Sequence, residues 1–189
     1  IKGSMKIGDT VKLTVNDEER RAIEANHSGT HVLQAALKAV LGDHIKQSGS
    51  LVNTERLRFD FTHFSKIGDE ELEQIETLAN RTIRRNVPVV TQIMPIDEAA
   101  KTGATAVFDE KYGDVVRVVK MGDVSMELCG GTHVSRTGDI GLLKIVHESA
   151  IAAGVRRIEA LTGREAVKYV RKLEAELKTH AAREEELRA

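Results

Sequence analysis

The sequence predicts an α+β fold, with a mostly antiparallel sheet packed with helices and one long helix at the C-terminal end. Three observations carry this. Apolar residues recur at helical spacing over 27–41, and a capped, charge-biased helix is expected over 70–86. Short apolar or alternating runs at 51–61, 115–120, 124–128, 140–146 and 155–161 read as strands. From Gly163 onward, Ala166, Val170, Leu173 and Leu177 follow 4-3-4 spacing among dense charges. Separated helices with a mostly antiparallel set of strands define the class.

Taken in order, residues 6–15 open with Gly8-Asp9 and then alternate. Val11, Leu13 and Val15 share one face and Thr10, Lys12 and Thr14 the other, which predicts a half-buried strand. The helix over 27–41 takes Asn26 as its N-cap and Gly42 as its stop. Val32, Leu33, Ala36, Leu37, Val40 and Leu41 form its apolar stripe, and His27, His31, Gln34 and Lys38 form a second, polar one. In the strand over 51–61, Leu57, Phe59 and Phe61 alternate. Asp69 caps the next helix, Glu70 and Glu71 suit the positive end of its dipole, and Arg84 and Arg85 suit the other end. Pro88 begins an extended stretch, and Pro95 opens a short helix that ends near Gly103.

Composition narrows the function classes. The 189 residues carry 28 Lys and Arg against 29 Asp and Glu, so bulk positive charge is not how this chain would bind nucleic acid. Aromatics make up 3%, too few for base-stacking platforms, and the core must be built from Leu, Ile, Val and Ala. Cys129 is the single cysteine, which excludes an internal disulfide and points to a reducing, cytoplasmic setting. No apolar run approaches the roughly 20 residues needed to span a bilayer, and no secretory signal appears. Gly3-Ser4 before Met5 looks like a cloning remnant, so residues 1–4 carry no weight.

Two segments carry chemistry: His27-Ser-Gly-Thr-His31 and Cys129-Gly-Gly-Thr-His133. The first puts two imidazoles one turn apart on one helix face. In the second, two glycines let the backbone fold tightly enough for thiol and imidazole to converge. Three imidazoles and a thiolate suit tetrahedral Zn2+ and disfavour magnesium or calcium. With seven His in the chain, chance supplies about 0.2 His pairs at i+4 and fewer than about 0.1 His four residues from the lone Cys. The joint occurrence is therefore informative where either half would be weak. The glutamate of a zinc-protease H-E-x-x-H motif is missing.

Together with Gln47-Ser-Gly-Ser-Leu-Val52, Arg58-Phe-Asp-Phe61 and Gly154-Val-Arg-Arg-Ile-Glu-Ala160, these segments resemble the editing domain of alanyl-tRNA synthetases. Freestanding alanyl-editing proteins share its core, and the threonyl-tRNA synthetase editing domain shares the two His/Cys motifs. The resemblance covers about residues 6–165. It implies the synthetase editing fold in three parts. Residues 1–20 would hold the remnant and the last strand of a truncated β-barrel, 21–162 the deacylase domain, and 163–189 the amphipathic helix. The chain then reads as a fragment whose partners are the rest of the synthetase and the mischarged 3′ end of alanine tRNA, with no membrane and no DNA.

The implied activity is hydrolysis of the ester joining Ser or Gly to alanine tRNA. An alanine pocket rejects glycine by only the roughly 1–3 kcal/mol that one methyl is worth, and it excludes one added hydroxyl poorly, so a second site must remove the wrong product. The resemblance assigns His27, His31, Cys129 and His133 to zinc, which would acidify a water or polarise the ester carbonyl. It places Thr30, Gln47 and Arg156 at the substrate, with Arg156 facing the pocket or the terminal adenosine. Gly130 and Gly131 are read as backbone donors to a developing oxyanion or as a plain tight turn. Lys38, Lys46, Arg84, Arg85 and Lys144 are candidate phosphate contacts. Gly29 stands where the family often has Ala, a change expected to matter little. Two other readings remain at this stage: a structural zinc clamp in a tRNA-binding module without catalysis, and a threonyl-type editing domain.

Overall fold

A computed structural model describes residues 4–106 and 113–188. The α+β class is as expected, with two antiparallel sheets and four helices. The first helix, α1, runs Asp17–Leu41 and begins ten residues before the stretch the sequence marked. Its cap is Asn16, whose side-chain oxygen accepts from the Glu18 and Glu19 amides at 3.1 and 3.3 Å. Asp17, Glu18 and Glu19 then lie against the positive end of the dipole. Gly42, at φ +110°, stops the helix as predicted, and its N–H donates to Lys38 O. Asn26 is no cap. It is buried mid-helix, donates to Asn53 O at 2.9 Å and accepts from the Thr162 hydroxyl at 2.7 Å.

The run over 51–61 is a hairpin rather than one strand. Strands β1 (Gln47–Val52) and β2 (Leu57–Thr62) flank a turn in which Asn53 Oδ1 accepts from the Glu55 and Arg56 amides. Helix α2 spans Asp69–Arg84, with Gly68 rather than Asp69 at the cap position; the Gly68 amide donates to Glu71 Oε2 at 2.8 Å. Next come β3 (Val89–Pro95), the short helix α3 (Ile96–Lys101), β4 (Val115–Met121) and β5 (Ser125–Leu128). A 3-10 turn at Thr137–Ile140 leads to β6 (Leu143–Ala152) and β7 (Val155–Thr162). The four-stranded sheet has order β1-β2-β7-β6, and the three-stranded sheet has order β3-β4-β5.

The strand predicted over 6–15 does not form. Val11, Leu13 and Val15 are 53%, 90% and 56% exposed, and no strand edge among the described residues pairs with them. Alternation makes a strand only where a ladder partner exists.

The core lies between α1, α2 and the larger sheet. Leu33 and Leu37 on α1 and Leu57, Phe59 and Phe61 on β2 are fully buried, together with Ile75 on α2 and Ile158 on β7. Each such side chain contributes about 1.5–3 kcal/mol of transfer free energy. The helix approaches the sheet closely at Gly29, where a Cβ would lie 2.9 Å from Thr162 Cγ2 and 3.1 Å from Leu57 Cδ2. An alanine there would oblige those side chains to shift, more than the sequence suggested. This close packing fixes the height of α1, and with it His27 and His31, above the sheet. Helix α4 (Gly163–Arg188) forms as predicted; Ala166 is buried on the domain, and everything from Arg171 to Arg188 is exposed. Among the described residues no helix is long and apolar enough to cross a membrane.

Candidate metal centre

Helix periodicity puts His27 and His31 on the face of α1 that looks toward the end of β5. Cys129 follows β5 directly, and His133 lies four residues on. The four side chains converge: one donor atom from each lies within 4.8 Å of all the others. Cys129 Sγ is 3.4 Å from His27 Nε2 and 3.3 Å from His133 Nε2. Metal–sulfur and metal–nitrogen distances of about 2.3 and 2.0–2.1 Å in a tetrahedron place sulfur and nitrogen roughly 3.5 Å apart. The donor set and its spacing therefore fit one tetrahedral ion.

The surroundings orient the donors. His31 Nδ1 lies 3.1 Å from Glu127 Oε2, which leaves its other ring nitrogen for the cluster. Ser28 Oγ lies 3.1 Å from His133 Nδ1 and accepts from the Val134 amide at 3.1 Å. The Ser28 hydrogen bond is of the kind that fixes the tautomer and rotation of a metal-binding imidazole, whereas Glu127 meets His31 as an ion-pair contact without an aligned hydrogen bond. The loop itself is held from three sides. Arg117 on β4 donates through Nη1 to Cys129 O at 2.9 Å and to Gly131 O. Thr132 Oγ1 donates to Glu24 Oε1 at 2.7 Å. Gly131 packs so closely on His27 that a Cβ would lie 2.1 Å from His27 Cε1.

Charge follows geometry. Burial alone would push the Cys129 thiol up, but hydrogen bonds from His133, His27 and His31 hold it down at about 3. Burial would push His31 down, yet its bonds to Cys129 and Glu127 raise it to about 9. Burial likewise opposes the Glu127 carboxylate, and contact with His31 overrides it, leaving Glu127 below its ordinary value. His133 is lowered, first by burial and then by the neighbouring histidines. At pH 7 the metal-free cluster thus holds a thiolate and a protonated His31.

Because His31 sits above its ordinary 6.5, its charge stabilises the metal-free fold fully below about pH 6.5, and that contribution is lost as pH rises through about 9. A metal ion bound through His31 would have to displace this proton. Calorimetry in buffers of differing ionisation enthalpy is expected to show about one proton released per ion bound at pH 7 and almost none above pH 10. No release at pH 7 would contradict the ligand assignment of His31.

The cluster opens into a cavity of about 220 Å³ lined by His27, Thr30, His31, Gln34, Gln47, Ser50, Glu127, Leu128, Cys129, Gly130 and Gly131. A larger groove of about 810 Å³ lies between α1 and the start of α4, but the cluster is not in it, and the chemistry decides the site. Thr30 lines the cavity, although its hydroxyl hydrogen is already given to Asn26 O at 2.9 Å, so only its lone pairs face a ligand. Gln47 lines it from a β-bulge, where the register jumps between Gln47 and Gly49 and re-aims the side chain. Arg156 is not among the residues that line this cavity. It pairs across the sheet with Phe61, on the helix-covered face, where Glu148 binds its guanidinium in bidentate fashion at 2.5 and 2.6 Å. Its neighbour Arg157 is taken by the buried Asp60 at 2.7 and 2.9 Å.

Of the five basic candidates, Lys38 and Lys46 line a smaller cavity of about 110 Å³ that shares Gln34, Gln47 and Glu127 with the first. Lys144 pairs with Glu76, and Arg85 with Asp123. The sequence reading missed Ser28, Glu127 and Arg117. Gln34 was visible on the histidine stripe but given no role. Ser28 lay inside the first motif, whereas Glu127 and Arg117 had no local signal because their partners are far away in the chain.

Residues 116–159 match the family described as the threonyl and alanyl tRNA synthetase second additional domain. The chain is 57% identical over 176 residues to alanine–tRNA ligase 1 of Lachnoclostridium phytofermentans, and 58% over 174 residues to the alanine–tRNA ligase of Carboxydothermus hydrogenoformans. With that of Shewanella loihica the figure is 55% over 180 residues. These similarities cover 92–95% of this chain but only 20–21% of each relative. The chain therefore spans about one fifth of the length of the proteins it matches.

Proposed function

We propose, for a chain that corresponds to about a fifth of an alanine–tRNA ligase, that it is the editing part: it hydrolyses the ester of Ser or Gly mistakenly joined to alanine tRNA. The observation that carries this reading is the convergence of three imidazoles and one thiolate on a cavity large enough for a small amino acid. The soft sulfur and the imidazoles favour zinc. When bound, zinc supplies Lewis acidity at the site.

The chain's own residues do the rest. Glu127 and Ser28 hold the outer nitrogens of His31 and His133, so that each ring presents its other nitrogen inward. The Thr30 lone pairs accept from the ammonium or hydroxyl of a seryl group. The Gln47 amide has no hydrogen-bond partner among the described residues and reads that hydroxyl. Lys38 and Lys46, in the adjoining cavity, accompany the phosphates of the RNA end. Water attacks the carbonyl carbon, the bond to the ribose oxygen breaks, and a proton returns to that oxygen. Free amino acid and tRNA leave. Arg156 has no place at the reacting atoms in this scheme. The working compartment is the cytoplasm, where tRNA is charged.

A second reading rests on the donor count. Four protein ligands are characteristic of a closed, structural zinc site. The zinc-loaded chain mixed with Ser-, Gly- and Ala-charged alanine tRNA separates the two. Editing predicts faster loss of Ser and Gly than of Ala, abolished by chelation and restored by zinc. Zinc-dependent melting with no hydrolysis would establish the structural reading instead. Faster loss of Ser from threonine tRNA than from alanine tRNA would point to threonyl-type editing. A Gln47→Ala chain is expected to lose about tenfold in seryl deacylation, the worth of one hydrogen bond, while keeping its metal. Full activity would remove Gln47 from the site.

A further inference from the structure

Strand β4 reads Val-Val-Arg-Val-Val-Lys, with a half-buried guanidinium among valines. The partners of Arg117 among the described residues are all neutral: Cys129 O at 2.9 Å and Gly131 O through Nη1, and Thr91 Oγ1 at 3.2 Å through Nη2. Its main-chain oxygen also accepts from the Cys129 amide at 3.0 Å. A guanidinium with no acidic partner among the described residues thus grips the cysteine loop by two carbonyls through one nitrogen, Nη1, of a planar, rigid group.

The grip has a consequence on the other side of the peptide planes. Among the described residues every peptide bond is trans, so a carbonyl and the amide N–H that follows it point in opposite directions. With Cys129 O and Gly131 O drawn to Arg117, the Gly130 and Thr132 N–H groups point away from it. Neither of these amides has an acceptor among the described residues, and Gly130 lines the cavity. An unpaired amide in a cavity wall, backed by a positive charge, is an anion donor awaiting its acceptor.

We propose that Arg117 is a positioning residue that turns the Gly130 amide toward the carbonyl oxygen of the bound ester, where negative charge develops during attack. The role rests on the editing reading above. Arg117 itself touches no reacting atom. A half-buried basic side chain of a mostly apolar strand thereby sets the electrostatics of the site through the loop backbone, touching the main chain of Cys129 and Gly131 but none of the four ligand atoms.

The test compares the zinc-loaded parent with Arg117→Met and Arg117→Lys. The expected result for Arg117→Met is a fall of about 10²-fold in kcat for Ser-charged alanine tRNA with KM little changed, the effect of losing one oxyanion donor. One metal per chain and an unaltered visible spectrum of the cobalt-substituted protein should be retained. Arg117→Lys, which can hold the carbonyls only partly, is expected to fall between. Unchanged kcat would overturn the proposal, and so would loss of the metal or a changed cobalt spectrum, since the effect would then run through the ligands.

A readout without turnover is the Gly130 amide resonance of glycine-labelled chain titrated with a phosphonate ester of serine and adenosine. A shift in the parent that is lost in Arg117→Met is expected, and equal shifts in both would contradict the role. If the parent hydrolyses no charged tRNA, the editing reading fails, while the amide shift still reports on Arg117.

Discussion

A Cys129→Ala chain is expected to bind zinc about 10²–10³-fold more weakly than the parent. Four-ligand sites of this type bind with about 10–16 kcal/mol, of which one ligand's even share is about 2.5–4 kcal/mol. Sulfur is the one soft, anionic donor in the set, so an even share is a conservative figure. The fold should survive, because Cys129 only flanks the main core and is not among its buried members. The metal-free state should change too. Cys129 is the largest of the influences that raise His31, so with the thiolate gone burial draws His31 back down, and its titration moves to lower pH. Competition against a chromophoric chelator measures the affinity, and histidine resonances report the titration. Unaltered affinity would remove the sulfur from the ligand set.

The second large effect is expected at Gly131. An alanine Cβ there would lie 2.1 Å from His27 Cε1 and 2.4 Å from Nδ1, far inside contact distance. The ring has nowhere to go. Its centroid is 4.2 Å from that of His133 and 5.3 Å from that of His31, and Nε2 already touches the thiolate. The loop cannot retreat either, since Arg117 and the Cys129 amide tie it to β4. Gly131→Ala should therefore cost about 1–3 kcal/mol of stability as overpacking and lower metal affinity at least tenfold by displacing His27. Gly130→Ala is the control. Its Cβ would meet nothing within 4 Å, and its stability should stay within about 0.5 kcal/mol of the parent. Chemical unfolding with and without zinc checks both, and equal behaviour of the two variants would show that the close approach at Gly131 is not a constraint.

Much of the molecule was legible because it depends on local pattern. The apolar stripe of α1, the alternation of Leu57, Phe59 and Phe61, and the onset of α4 at Gly163 follow from spacing alone. The convergence of His27, His31, Cys129 and His133 into a group that could hold a metal was legible for the same reason, as two short motifs with fixed internal spacing. Errors arose where a distant partner decides. Asn26 has the side chain of a cap, but it is spent on Asn53 and Thr162 inside the fold. The alternation over 6–15 is real, but among the described residues it has no neighbouring edge to complete a ladder. Arg156 and Arg157 look alike in sequence, and only strand register sends the first to Glu148 and the second to Asp60. Arg117 and Glu127 gain their significance from the Cys129 loop and from α1, which only the tertiary fold brings to them.

The claim beneath all of this is that His27, His31, Cys129 and His133 share one ion. X-ray absorption at the zinc edge of the loaded chain addresses it without reference to catalysis. The account predicts one sulfur at about 2.3 Å and three imidazole nitrogens at about 2.0–2.1 Å, with the sulfur contribution gone in Cys129→Ala. A shell of oxygens, or a parent spectrum without sulfur, would contradict it.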